Sequence, residues 1–103
     1  MNIQEMAIRD ANRDYVKDNQ SDAYWLAYVA RARRGEVSPF DELLHAIGPL
    51  DLCHSFGVTR TTDLEAELAE KRDAWRREYD GFYLSAMEVL ARPPAKDPHE
   101  VDR

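Results

Sequence analysis

Two carboxylate–histidine pairs occupy one short stretch of the chain. Glu42-x-x-His45 and Asp51-x-x-His54 each place a carboxylate and an imidazole one helical turn apart. Di-iron helical bundles use Glu-x-x-His on two helices, so these pairs resemble half of such a site. Gly48-Pro49 separates them, which predicts a corner between two short helices rather than two facing helices. We therefore expect no metal and no cofactor, and keep a helical metalloprotein as an alternative.

The single cysteine is the other residue with reactive chemistry. With only Cys53 the chain cannot form an intramolecular disulfide. A nucleophilic thiol needs a base beside it, but the neighbouring His54 points about 100° away if both lie on a helix. We expect Cys53 to be a small core residue. No glycine-rich phosphate loop and no G-x-S-x-G elbow is present in the sequence, so we expect a protein that is not an enzyme.

Residues 52–62 resemble the core of a helix-turn-helix. An apolar and a small residue precede a turn glycine, and a polar Thr-Arg-Thr-Thr run leads into the next helix. The resemblance implies a DNA-binding regulator in which Arg60, Thr61 and Thr62 contact bases. The helix that follows has four acidic residues between 63 and 70, which phosphates repel. We keep this function as an alternative and do not expect nucleic acid to be the partner.

Apolar spacing predicts helices along most of the chain. The first helix covers about Ile3 to Asp18, with an apolar arc on one side and a basic ladder of Arg9, Arg13 and Lys17 on the other. The second runs from Asp22 to Arg34, after Ser21 as N-cap and before a C-terminal glycine. Because the second helix is apolar nearly all round, we expect it to be central.

Three further helical segments follow. Ser38-Pro39 has the pattern of an N-cap and an N1 proline, and Gly48-Pro49 predicts the end of this third helix. Residues 50–56 then form another turn or two. The capping box Thr62-x-x-Glu65 opens a long C-terminal helix over about residues 62–91, which spans about 40 Å.

The long helix has an apolar stripe that another element must cover. The first and second helices are the natural candidates, and a partner chain is the alternative. The stripe falls within an arc of roughly 120°. Its members are Leu64, Leu68, Trp75, Tyr79, Phe82, Tyr83, Ala86, Val89 and Leu90.

The fold class that follows is all-α, a compact bundle of four or five helices with the long C-terminal helix as its spine. We expect a single helical domain over residues 1–92 and a flexible tail over 93–103. The longest apolar run, Ala23–Ala30, is too short to span a bilayer, and the N-terminus lacks a signal-peptide pattern. We therefore expect a cytoplasmic protein.

Composition favours binding over catalysis. The chain has 103 residues and a net charge of −6, which suits a partner with a basic surface. Its aromatic residues exceed what a small core hides, and a surplus would form an exposed patch. We expect a small acidic module that inhibits, regulates or stabilises a larger protein, as phage-type inhibitors, immunity proteins and accessory subunits do. Trp75, Arg76, Tyr79 and Tyr83 are the candidate contact residues, and a homodimer through the long helix is an alternative.

Overall fold

The protein folds as an all-helical bundle. The computed structural model describes residues 2–18, 20–56 and 64–92. Four helices follow one another in chain order and no strand occurs within these ranges. They are α1 (Ile3–Asp18), α2 (Asp22–Arg33), α3 (Pro39–Ser55) and α4 (Leu64–Ala91). The all-α prediction and the long C-terminal helix are confirmed, whereas Thr62 of the capping box and the predicted tail lie outside the described residues.

Local sequence signals set both ends of α2. The Ser21 hydroxyl accepts a hydrogen bond from the Tyr24 N–H, as an N-cap should. At the other end Gly35 has φ +84°, and its N–H donates to the Ala32 carbonyl. The Glu36 N–H donates to the Arg31 carbonyl, which completes a Schellman motif. The predicted end of α2 is therefore correct to within one residue.

A glycine bends α3 in its middle. Gly48 has φ +84° and ψ +161°, a conformation open essentially to glycine alone, and Pro49 begins a second helical stretch after it. The sequence predicted a helix end at this dipeptide, and the structure has a kink joining two short helices. The kink turns residues 50–56 back toward α4, where the Phe56 ring meets Trp75 with centroids 5.0 Å apart.

The start of α3 is held by a side chain from α4. The Asp80 carboxylate accepts hydrogen bonds from the Phe40 N–H at 2.8 Å and from the Ser38 hydroxyl at 2.9 Å. A negative charge at this position satisfies a first-turn N–H and complements the helix dipole. Burial raises the pKa of Asp80, while these two hydrogen bonds oppose that rise.

The long helix α4 is the spine against which the other three pack most extensively. Asp10 meets Tyr79 and Asp14 meets Tyr83, so α1 runs parallel to α4. The first half of α3 runs antiparallel to α4, because Phe40 contacts Tyr79 while Leu44 and Gly48 lie beside Leu68. Large core side chains from α1, α3 and α4 are fully buried around this spine. They include Met6, Phe40, Leu52, Tyr79 and Met87.

The prediction that α2 is central was wrong. Only one side of α2 is buried, through Trp25, Tyr28 and Val29, and its opposite side is exposed. The sequence pattern suggested a central helix because alanines make α2 apolar on every side. Alanine has so little apolar area that leaving it in water costs little. The central position belongs to α4.

Replacing Gly48 by alanine should destabilise the fold. No atom would crowd the new Cβ, so the effect comes from the backbone, which a residue other than glycine adopts at a cost of about 1–3 kcal/mol. Gly81 is the matched control, because it lies inside α4 with open space around it. Gly81→Ala should stabilise the helix by about 0.5–1 kcal/mol. Urea unfolding of both variants checks this, and a neutral effect of Gly48→Ala would contradict the assigned kink.

Candidate functional site

Two of the four predicted contact residues form a buried ladder between α4 and α1. The Tyr79 hydroxyl donates to the Asp10 carboxylate at 2.9 Å, and the Tyr83 hydroxyl donates to Asp14 at 2.7 Å. The two rings stack with centroids 5.8 Å apart, one turn from each other on α4. Tyr79 is 2% exposed and Tyr83 is 3% exposed. In this structure both therefore belong to the core and offer no surface to a partner.

The Asp10 carboxylate of this ladder is buried, and neighbouring groups offset its charge. Asp10 is 1% exposed. Beyond the Tyr79 hydroxyl, it meets the guanidinium groups of Arg9 at 3.2 Å and Arg13 at 3.4 Å. A buried charge needs such partners, because an isolated carboxylate is strongly disfavoured in a low-dielectric core. Two members of the predicted basic ladder, Arg9 and Arg13, thus pair with a buried carboxylate and do not only form a solvated face.

Burial and the nearby carboxylates keep the tyrosines protonated. Desolvation is the largest cause that raises the pKa of Tyr79 and of Tyr83, and the adjacent aspartates add to it. The same holds for Tyr28, whose hydroxyl donates to Glu42 at 3.2 Å. These hydroxyls are hydrogen-bond donors over the whole neutral range, so they support the fold and are not available as bases.

The other two predicted contact residues lie at the rim of the core. Trp75 is half-buried, with its ring edge-on to Phe56. Arg76 is half-buried as well, and its guanidinium reaches Asp41 at 3.7 Å and Asp73 at 3.4 Å. The four predicted residues therefore do not form one surface, because α4 turns the two tyrosines inward toward α1.

The residues with reactive chemistry do not converge on a site. Cys53 is fully buried, and burial raises the pKa of its thiol, with the Glu67 charge adding to the effect. His45 and His54 are exposed on either side of the Gly48 kink, so the two carboxylate–histidine pairs do not face each other. Among the residues that the structure describes, no three His, Cys, Asp or Glu side chains are grouped to hold a metal ion.

An exposed apolar face on α2 is the feature that sequence reasoning missed. Four apolar residues at spacing i, i+3, i+4 and i+7 lie on the side of α2 away from the core, and all are exposed. We call them the α2 outer face, and they are Ala23, Leu26, Ala27 and Ala30. Tyr24 borders this face at 43% exposed, and Leu26 within it is 38% exposed. The sequence signal that could have indicated this face is that α2 is apolar on every side and has arginines at its C-terminal end.

Other exposed apolar side chains are scattered. Phe82 and Val89 lie on the outer edge of the α4 stripe, and Ile8 and Val16 lie on α1. Of the aromatic surplus expected from the sequence, Tyr24 and Phe82 are exposed, whereas Trp25 and Tyr28 are buried. Single apolar residues on a surface are ordinary in monomeric proteins. The α2 outer face differs because its four members follow one another along one side of a helix.

The helix-turn-helix hypothesis depends on three residues between α3 and α4. These residues, Arg60, Thr61 and Thr62, lie outside the described residues.

Comparison with known proteins finds no relative. The chain matches no protein family model, and no significant match was found among curated proteins or solved structures. Within the described part of the chain, no helix combines the length and apolarity needed to cross a membrane.

The buried tyrosine ladder predicts a loss of stability at alkaline pH. Because the folded state raises the pKa of Tyr83, its contribution is complete below the unfolded pKa of about 10 and declines above it. Each such tyrosine lowers the free energy of unfolding by about 1.4 kcal/mol per pH unit above that value. Tyr83→Phe should therefore decline less steeply than the wild type in urea unfolding between about pH 9 and pH 11. Equal slopes would refute the buried Tyr83 assignment.

Proposed function

We propose that this protein is a non-catalytic binding module that docks on a larger protein through the α2 outer face. It would inhibit, regulate or stabilise that partner. The observation that carries the proposal is the row of exposed apolar side chains along the side of α2 that no other described element covers. Leu26 and the bordering Tyr24 are the large exposed apolar side chains of this face, and the alanines beside them let a partner helix come close enough to cover both.

The shape of this face favours a helix as the occupant. Three of its four members are alanines, which allow a second helix axis to approach to about 8 Å, the short end of helix packing distances. Leu26 and the neighbouring Tyr24 supply the larger side chains that would anchor the contact. Burial of one such side chain contributes about 1.5–3 kcal/mol. A helix of the partner laid along α2 would exclude water from all of them together.

Local charge sets the chemistry of the partner helix. Arg31, Arg33 and Arg34 gather at the C-terminal end of α2. Arg33 meets Glu88 at 3.8 Å and Arg34 meets Glu36 at 2.9 Å, and both arginines are exposed, so these ion pairs contribute little. We propose a partner helix that runs antiparallel to α2 with acidic residues in its first turn, where its own dipole favours them. The net charge of −6 suggests a basic partner overall, so the acidic turn would be a local feature.

The α2 outer face is a better docking surface than α4 is for a homodimer. On α4 the side chains Tyr79 and Tyr83 are used by α1, and the large apolar side chains left exposed at the outer edge of its described part are Phe82 and Val89. We also propose a cytoplasmic location. A free buried Cys53 is in keeping with a reducing compartment.

Leu26→Asp should abolish partner binding without unfolding the protein. Leu26 is exposed, so the fold tolerates the change, whereas a charge in the middle of an apolar contact lowers affinity at least about tenfold. Val89→Asp is the matched control, because Val89 is also an exposed apolar residue but lies on α4. Affinity capture from nuclease-treated lysate of the source organism, followed by calorimetry with the purified partner, measures the effect.

The expected result is one protein captured in stoichiometric amount by the wild type and by Val89→Asp, and lost with Leu26→Asp. Circular dichroism should give similar helix contents and similar melting temperatures for the wild type, Leu26→Asp and Val89→Asp. Capture that is equal for Leu26→Asp and the wild type would contradict docking at α2. Recovery of nucleic acid alone from an untreated lysate would favour the helix-turn-helix alternative instead.

A further inference from the structure

A cleft opens between α1 and α3, and its residue Glu42 also accepts a hydrogen bond from Tyr28 of α2. Its volume is about 270 Å³, and Tyr79 and Tyr83 of α4 form its floor. Sites for drug-sized ligands have volumes of about 300–1,000 Å³, so an occupant of this cleft is a smaller molecule. We call it the α1–α3 cleft.

The two walls of the α1–α3 cleft differ in character. On α3, Leu43, Ala46 and Ile47 line it at spacing i, i+3 and i+4 and form an apolar wall. On α1, Arg13 and Lys17 line it one helical turn apart and form a charged wall. A molecule held here places an apolar part against α3 and a charged part against α1.

Most polar groups of the cleft are already engaged. The Arg13 guanidinium reaches Asp10 at 3.4 Å and Asp14 at 3.5 Å, and the hydroxyls of the floor tyrosines donate to the same two aspartates. These groups hold α1 against α4, and they leave the cleft without a further open donor from the floor.

Two opposite charges of the cleft remain open. Lys17 has no ion pair with any described residue, although it lines the same cleft as Glu42. Glu42 accepts the Tyr28 hydroxyl on Oε1, and its other carboxylate oxygen is uncommitted. The cleft therefore offers one ammonium group on α1 and one carboxylate on α3, with an apolar wall beside the carboxylate.

We propose that the α1–α3 cleft binds an amino acid with an apolar side chain. The ligand carboxylate pairs with the Lys17 ammonium, the ligand ammonium pairs with Glu42, and the side chain packs on Leu43, Ala46 and Ile47. A simple carboxylate would meet repulsion from Glu42, and a simple amine would meet repulsion from Lys17 and Arg13. Only a zwitterion complements both open charges at once.

Three probes of similar shape test each part of this assignment. L-Leucine carries both charges, 4-methylpentanoate lacks the ammonium group, and 3-methylbutylamine lacks the carboxylate. Titration of the ¹⁵N-labelled full chain should give saturable amide shifts for residues lining the cleft with L-leucine, at a dissociation constant of about 1 mM. The two single-charge probes should bind at least about fivefold more weakly, since each leaves one charge of the cleft unpaired.

Variants locate the binding in the cleft. Ala46 is exposed, so Ala46→Trp keeps the fold, fills the cleft and should abolish the shifts. Lys17→Gln removes the partner of the ligand carboxylate, so L-leucine should then bind no more tightly than 3-methylbutylamine. Glu42→Gln removes the partner of the ligand ammonium, so L-leucine should then bind no more tightly than 4-methylpentanoate. Lys71→Gln is the control, because Lys71 is also an exposed lysine but lies on α4 and does not line the cleft.

Three results would overturn the proposal. They are no saturable shift with L-leucine, equal affinity for the three probes, and L-leucine binding that survives Ala46→Trp. Since none of these variants changes the α2 outer face, the outcome is independent of partner docking there.

Discussion

The bundle depends on two tyrosine–aspartate hydrogen bonds that join α1 to α4. Both pairs repeat at a spacing of four residues on each helix, so they fix the two helices in parallel and in one register. A slip by one residue would leave Asp10 buried without its hydroxyl donor. Because an unsatisfied buried carboxylate costs several kcal/mol, the ladder selects this register over others.

The rest of the architecture follows from that register. With Tyr79 and Tyr83 turned toward α1, the stripe of α4 becomes the centre of the bundle, and α2 packs on it along only one side. The α2 outer face is left in solvent. The same register places Arg13 and Lys17 opposite α3, which creates the α1–α3 cleft between them.

Local signals in the sequence predict the helices well, whereas long-range partners escape them. Ser21, Gly35 and the Ser38-Pro39 pair predict helix ends correctly, because capping depends on residues within a few positions. The burial of Tyr79 and Tyr83 depends on aspartates 69 positions away, which periodicity alone cannot identify.

Exposure of the candidate surface was equally beyond the reach of periodicity. The α2 helix is apolar on both sides, so its pattern does not reveal which side the other helices cover. Asp80 shows the same limit, since its partners lie 40 and 42 positions away at the start of α3. The sequence located these residues on the correct helices, and only the packing shows which of them are exposed and which lie in the core.

A double-mutant cycle between Asp10 and Tyr79 tests the central claim most directly. Urea unfolding of the wild type, Asp10→Ala, Tyr79→Phe and the double variant gives the coupling energy of the pair. A buried, charge-assisted hydrogen bond predicts a coupling of about 1.5–3 kcal/mol, with the double variant much less destabilised than the sum of the single ones. A coupling below about 0.5 kcal/mol would show that the two residues do not meet, and the parallel register of α1 and α4 would be wrong.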